Sequence, residues 1–336
     1  MSSDGLNRRK EVVNRNNDTN EENVSQEVSP ERPQKQSIMK RVMSLMALSM
    51  AILVMVYYTT QTNDTKELVM ASATQSITGP PIAQQVMCSQ EDYTEDRVRF
   101  PSCAPQRCGR FVSDSVITES EAKHLLSVAK RGLSLGGSSG GASYLGLHNG
   151  RLSLATNYVN IYKLIESTPE KADVLTEKDL EVYGSVRNKV RKTIATHFGV
   201  PAAQLYVTTP SYFSRITTKR AMHKYEAYWR RHVDRHHIKS DHYTSVIYLS
   251  TYGADFSGGS FVFADEMSNH TIEPKLGRLV WYTSGSENEH FLERVTSGTR
   301  YALVMGFTCD PKFAATEPHI VRPHTCAQPF CCLYGV

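Results

Sequence analysis

The sequence has no cysteine before residue 88 and no aromatic residue in its first 41 positions. It contains no C-x-x-C pair, no G-x-G-x-x-G run and no G-K-[ST] ending, which removes the commonest zinc, dinucleotide and nucleoside-triphosphate signatures. Neither sign of charge dominates. The 38 Lys+Arg against 34 Asp+Glu leave a net +4, too balanced for nucleic-acid binding by charge alone. The 14 Pro and 20 Gly are spread too thinly for a collagenous or low-complexity chain. What is present is 40% hydrophobic and 21% charged, ordinary globular usage. At about 150 residues per domain, 336 residues leave room for two compact domains at most.

Composition is uneven along the chain. Residues 1–41 are almost purely polar and bury too little apolar surface to offset the entropy of ordering, so they read as a disordered tail. After Lys40-Arg41 the seventeen residues Val42–Tyr58 carry no charge and span about 26 Å as a helix, near the lower limit for a bilayer. Thr59 and Thr60 lengthen the segment to 42–60, and Tyr57 and Tyr58 suit the interfacial belt. The polar stretch upstream is too long for the n-region of a signal peptide. Arg32, Lys35, Lys40 and Arg41 precede the span, whereas only Lys66 follows within twenty residues. That asymmetry predicts a cytosolic N-terminus, a type II signal anchor and a folded region in the lumen of the ER or Golgi. All seven cysteines lie beyond the span, as disulfides in an oxidising compartment require, although their connectivity is open. Two sequons on the same side, Asn63 and Asn269, are candidate glycosylation sites.

Residues 61–87, rich in Thr, Ser, Gln and Pro, read as a lumenal stem. A capping box at Thr118–Glu121 opens a helix with Ala122, Leu125, Leu126 and Ala129 on one side and Gly132 as its stop. Thr176-x-x-Asp179 opens a longer one whose stripe is Tyr183, Val186, Val190 and Ile194, ending at Gly199 and Pro201. Between them, Gly136–Gly141 reads as a flexible surface loop. From Tyr206 the period changes to two. Runs such as 211–216, 243–249, 260–264, 278–283 and 300–307 are rich in Val, Ile, Tyr and Phe. Eight or so short strands in a hundred residues predict a jelly-roll or barrel, so the fold class is mainly β with flanking helices (α+β). The chain thus divides into a Cys-containing helical region (88–205), a β core (206–310) and a Cys-rich tail (311–336).

Only one of the twelve histidines is followed two positions later by an acid: His232-Val233-Asp234. On a strand, positions i and i+2 share a side and can grip one ion. With His290, the set becomes two His and one carboxylate, the facial triad of non-haem iron, which leaves positions open for a chelating 2-oxo acid and dioxygen. Ten residues further on, Arg300 offers a planar fork for a carboxylate. The intervening Val295–Thr299 reads as a hairpin turn that would put His290 and Arg300 on adjacent strands. His236, His237, Asp241 and His242 read as a solvated loop, and Trp229 and Trp281 as packing residues.

His232-x-Asp234, the Gly258-Gly259-Ser260-Phe261 run, His290 and Arg300 together resemble the 2-oxoglutarate/Fe(II) dioxygenases of the prolyl 4-hydroxylase type. The resemblance covers residues 88–310. It implies a double-stranded β-helix core, Fe(II), L-ascorbate and 2-oxoglutarate, with hydroxylation of a protein or peptide coupled to release of succinate and CO2. It also implies a Tyr on the strand after HxD that bonds the distal carboxylate of 2-oxoglutarate, and Tyr248 matches that position. Leu292 stands where many relatives have Val. The alternative expectation is an inactive jelly-roll binding or scaffold module with a vestigial iron site.

Overall fold

Two capping boxes start the two long helices of the folded region, as their spacing predicts. Thr118 and Glu121 exchange bonds at the start of the helix Glu119–Ser134, and Thr176 and Asp179 at the start of the helix Glu177–Phe198. The computed structural model describes residues 35–61, 66–222 and 226–319. The chain divides into two units, Met1–Asp64 and Thr65–Val336.

In the first unit, α1 (Lys35–Gln61) begins earlier than the sequence predicts, so residues 35–41 are helical. The rest of the expected tail, residues 1–34, lies outside the described residues. The window Ile38–Tyr58 is 21 residues long with mean hydropathy 1.8, and its side chains are exposed. By length and composition it can cross a membrane, spanning about 31 Å.

The second unit contains helices α2 (Gln90–Arg99), α3 (Glu119–Ser134), α4 (Ile161–Glu166), α5 (Glu177–Phe198) and α6 (Asp234–His237). Before the β core come β1 (Lys66–Ala71), β2 (Ile82–Val86), β3 (Cys108–Ser113), β4 (Gly137–Ser138), β5 (Ala142–Leu145), β6 (Arg151–Ala155) and β7 (Asn157–Asn160). The core itself adds β8 (Tyr206–Val207), β9 (Tyr212–Thr217), β10 (Tyr243–Tyr248), β11 (Phe256–Gly258) and β12 (Phe261–Ala264). It continues through β13 (Ser268–Ile272), β14 (Leu279–Thr283), β15 (His290–Leu292) and β16 (Val295–Thr308). One sheet has the order β1-β13-β12-β15, and the larger one runs β2-β3-β14-β10-β16-β9-β5-β6-β4 along its main path. The result is mostly β with helices, two sheets over a shared interior as in a jelly-roll.

Strand β10 shows how the sequence encodes the layers. Its six residues are all buried, because Tyr243 and Ile247 face the helices while Val246 and Tyr248 face the small sheet. A strand covered on both sides loses the apolar–polar alternation, and YTSVIY carries no charge, the hydroxyls of Thr244 and Ser245 being hydrogen-bonded inside. Helices α3 and α5 bury their predicted stripes, among them Leu125, Val186, Val190 and Ile194, against Phe213, Ile247 and Leu303. At about 25 cal/mol per Å2 each such side chain contributes roughly 1.5–3 kcal/mol.

Several expectations change. The stem reading of 61–87 fails for its described part, since β1 pairs in parallel with β13 and β2 pairs with β3, with Ala71 and Ile77 buried. Only the last two residues of β1 turn inward and β2 alternates between exposed and half-buried, so neither reads as a core strand. The region 88–205 supplies strands as well as helices. Gly132 does not stop α3, which runs to Ser134; a Cβ there would lie 2.3 Å from Leu145 Cδ2, so the glycine admits β5 against the helix. Gly136–Gly141 is not a free surface loop either: it contains β4, and Gly140 and Gly141 are buried. The expected hairpin at Val295–Thr299 is instead the first part of the fourteen-residue β16.

Disulfides join Cys88 to Cys108 and Cys103 to Cys309. Cys326, Cys331 and Cys332, with most of the Cys-rich tail, lie outside the described residues, as does Asn63. Asn269 sits half-buried in β13, between β1 and β12.

Candidate metal and cosubstrate site

His232 and His290, 58 positions apart in sequence, are cross-strand partners in space. The amide of each donates to the carbonyl of the other, at 2.9 and 3.0 Å, which sets their imidazoles side by side with centroids 4.3 Å apart. The chain then bends, and Asp234 is the first residue of the one-turn α6 instead of the third residue of a strand. His232 and Asp234 thus come together through a backbone bend and not on one face of a strand, as the i, i+2 spacing predicts. Asp234 Oδ1 lies 3.7 Å from the Nε2 atoms of both His232 and His290, and one donor atom from each of the three residues falls within 4.8 Å of the others. Such a set could hold a metal ion.

The surroundings suit that use. Nδ1 of His232 sits 3.0 Å from the Arg230 carbonyl and Nδ1 of His290 sits 2.9 Å from the Asn288 carbonyl. A carbonyl only accepts, so each Nδ1 carries the proton and each Nε2 presents a lone pair to the common point. Burial holds His290 down to about 4, with the Asp234 charge opposing, so this imidazole is neutral at physiological pH. For Asp234, burial works against ionisation, but His290, His232 and the Thr244 and Tyr282 hydroxyls outweigh it and keep the carboxyl below its ordinary value. Tyr282 donates to Asp234 Oδ2 at 2.8 Å, turning Oδ1 toward the histidines. Phe261 stacks on His290 at 4.8 Å between centroids.

Arg300 lies in β16 opposite Ile216, and β15, which carries His290, belongs to the other sheet. The two residues thus face each other across the interior instead of along adjacent strands. Arg300 is buried, its Nε donates to the Gly259 carbonyl at 2.9 Å, and its Nη2 has no partner. Gly259 has φ +68, and a Cβ there would meet Val295 Cγ2 at 2.9 Å and Arg300 Cδ at 3.1 Å, so only glycine lets the guanidinium pass. The ring centroid of Tyr248 is 5.3 Å from Arg300 Cζ, and the fully buried Tyr248 hydroxyl also lacks a partner. Burial raises that phenol well above its ordinary value and keeps its proton on. Two unsatisfied buried donors side by side call for an acceptor, and a carboxylate is the acceptor that a guanidinium and a phenol share. All three candidate donors and Arg300 line a cavity of about 520 Å3, with Val246, Ile216 and Val304 as its apolar walls.

Sequence reasoning missed Tyr282 and gave Phe261 no role. Strand parity could have found the first, since Tyr282 shares a face with Val280, which pairs with inward-facing Val246. Trp281 packs as expected, stacked on Phe111, and Trp229 lies under Arg294. The solvated-loop reading of 236–242 holds for exposed His236 and His237 and fails for Asp241 and His242, both buried.

Burial pushes the Asp241 carboxyl up to about 8, helped by Asp234 and opposed by Thr208 and Arg235. The folded chain therefore holds a proton there that the unfolded chain releases near its ordinary value of 3.8. This contribution is full below about pH 4 and is lost as pH rises through about 8. Asp241→Asn mimics the protonated acid, so it should flatten the decline in stability between pH 5 and pH 9, read from urea midpoints across that range. A decline as steep as that of the unaltered chain would disprove the assignment.

A jelly-roll whose interior carries a His/Asp/His cluster opposite a buried arginine defines the Fe(II)- and 2-oxoglutarate-dependent oxygenases, and the 2OG-Fe(II) oxygenase superfamily matches residues 220–307. The chain belongs to this family and is a 2-oxoglutarate-dependent dioxygenase. It is 47% identical over 234 residues to the 2-oxoglutarate and iron-dependent oxygenase domain-containing protein 3 of Mus musculus, covering 70% of this chain and 73% of that protein. The Homo sapiens protein of the same name matches at 47% over 234 residues, 70% of this chain and 72% of its own. Prolyl 3-hydroxylase 1 of Homo sapiens is 26% identical over 235 residues, 62% of this chain and 29% of that protein.

Proposed function

We propose that the protein is a membrane-anchored hydroxylase of the secretory lumen, with His232, Asp234 and His290 as iron ligands and Arg300 and Tyr248 as the seat of 2-oxoglutarate. The observation that carries this reading is the pairing of a three-donor cluster with unsatisfied buried donors on Arg300 and Tyr248 in one interior. Ferrous iron, when bound, supplies the oxidising chemistry in which 2-oxoglutarate and O2 yield succinate, CO2 and a hydroxylated product.

The chain's own side chains do the positioning. His232 and His290 turn their Nε2 atoms to the common point, and Tyr282 steers Asp234. Arg300 Nη2 and the Tyr248 hydroxyl receive the distal carboxylate, with Gly259 holding the guanidinium through its Nε. Val246, Ile216 and Val304 exclude water around it. Tyr144, Tyr212 and Tyr228 line the same cavity and suit a peptide substrate, the class named for the prolyl hydroxylase relative. Ascorbate is assigned as the reductant that keeps the iron ferrous. The charge asymmetry about α1 and the disulfides support a type II orientation with the second unit in the lumen.

The test is succinate formation by the purified full-length chain in detergent, given 2-oxoglutarate, O2 and Fe(II). Fe(II)-dependent succinate release, even without a substrate, is expected. No release at any iron concentration would favour a binding module on the same fold.

A further inference from the structure

The three candidate ligands sit on two separate loops, and neither loop is rigid by its own local structure. Asp234 begins a single turn of helix, too short to be stable alone, and His290 opens the three-residue β15 just after the single 3-10 turn Ser286–Asn288. A metal site needs its donors held to about half an ångström. Helix α2, which contributes no donor, lies against both loops.

Its bonds to the first loop converge on Arg235, the residue after Asp234. Arg235 Nε donates to the Asp92 carbonyl at 2.7 Å, Nη1 donates to the Asp241 carbonyl at 2.9 Å, and Nη2 pairs with the Asp96 carboxylate. The guanidinium lies 5.1 Å from the centroid of Tyr93. Toward the second loop, the Tyr93 hydroxyl accepts from the Gly285 amide at 2.6 Å and donates to Glu287 Oε1 at 2.9 Å. Asp92 Oδ2 accepts from the Ser286 amide at 2.7 Å. The Arg235 amide closes the circuit by donating to the Ser284 carbonyl at 3.0 Å. Tyr93 is fully buried, and both flanks of α2 are cross-linked: Cys88 before it to Cys108, Cys103 after it to Cys309.

We propose that α2 is a brace for the metal centre, and that Tyr93 and Arg235 are positioning residues that hold the Asp234 and His290 loops at ligating distance. This rests on the reading of His232, Asp234 and His290 as ligands. The disulfides anchor the brace to β3 and to the end of β16, so the spacing of the two loops is set from outside the site.

The experiment is a Co(II) titration of the full-length chain in detergent, followed by the visible absorption of the bound ion. The variants are Tyr93→Phe, Arg235→Ala and Arg235→Lys, with Val190→Ala as a destabilised control in α5 remote from the brace; melting temperatures are recorded for all. Tyr93→Phe and Arg235→Ala should raise the Co(II) Kd by about 10–100-fold and broaden the absorption band, with Arg235→Lys between them and the unaltered chain. Val190→Ala should stay within about twofold although it melts lower. Normal Co(II) binding by Tyr93→Phe and Arg235→Ala would overturn the brace, as would weakening that simply follows melting temperature in every variant. If Asp234→Ala binds Co(II) like the unaltered chain, or the unaltered chain binds none, the ligand assignment itself falls and the brace with it.

Discussion

Asp234→Ala should weaken Fe(II) or Co(II) binding by on the order of 1,000-fold or more and remove succinate formation with it. Loss of a group that merely orients a ligand typically costs about 10–100-fold in metal affinity, and loss of a ligand itself should exceed that. The carboxylate is also the sole acidic side chain among the described residues that line the cavity. Without it, two imidazoles would face a divalent cation with no compensating charge. A Kd within tenfold of the unaltered chain, measured by Co(II) absorption, would remove Asp234 from the ligand set.

The second large effect is on the cosubstrate. Arg300→Ala should weaken 2-oxoglutarate binding by about 2–5 kcal/mol, roughly 30- to 4,000-fold in Kd, because it leaves a buried carboxylate without its cation. Metal affinity should change little, since Arg300 lies across the interior from the three donors. Arg300→Lys should recover only part of the loss: an ammonium cannot both bond Gly259 through a nitrogen equivalent to Nε and present a second donor in the same plane. Isothermal titration with 2-oxoglutarate under anaerobic conditions checks both. An unchanged Kd in Arg300→Ala would assign the distal carboxylate elsewhere, with Tyr248 as the remaining buried donor in reach.

Much of this protein was legible because its signals were local. The capping boxes at Thr118 and Thr176 form as spaced, and the stripe of α5 is buried in full. The apolar run 243–248 is a strand covered on both faces. The edge strands β1 and β2 were not legible, since they are short, largely exposed and set in a stretch rich in Thr, Ser and Gln. Asp241 and His242 look like loop residues in a row of polar side chains, and their burial comes from neighbours far along the chain: Gly306 and Thr208 for one, Asp96 and Cys309 for the other.

By itself the order of residues determined which chemistry is on offer: one HxD, a later histidine and an arginine ten positions beyond, in a chain with one long apolar segment near its N-terminus. Tertiary structure decided how they meet. His232 and His290 pair across strands, Asp234 joins them only because the backbone bends into a helical turn, and Arg300 arrives from the opposite sheet and not from a hairpin. The reason is physical. Donor types are written in single residues, whereas ligating distance and burial come from long-range pairing and packing, which no short window of sequence contains.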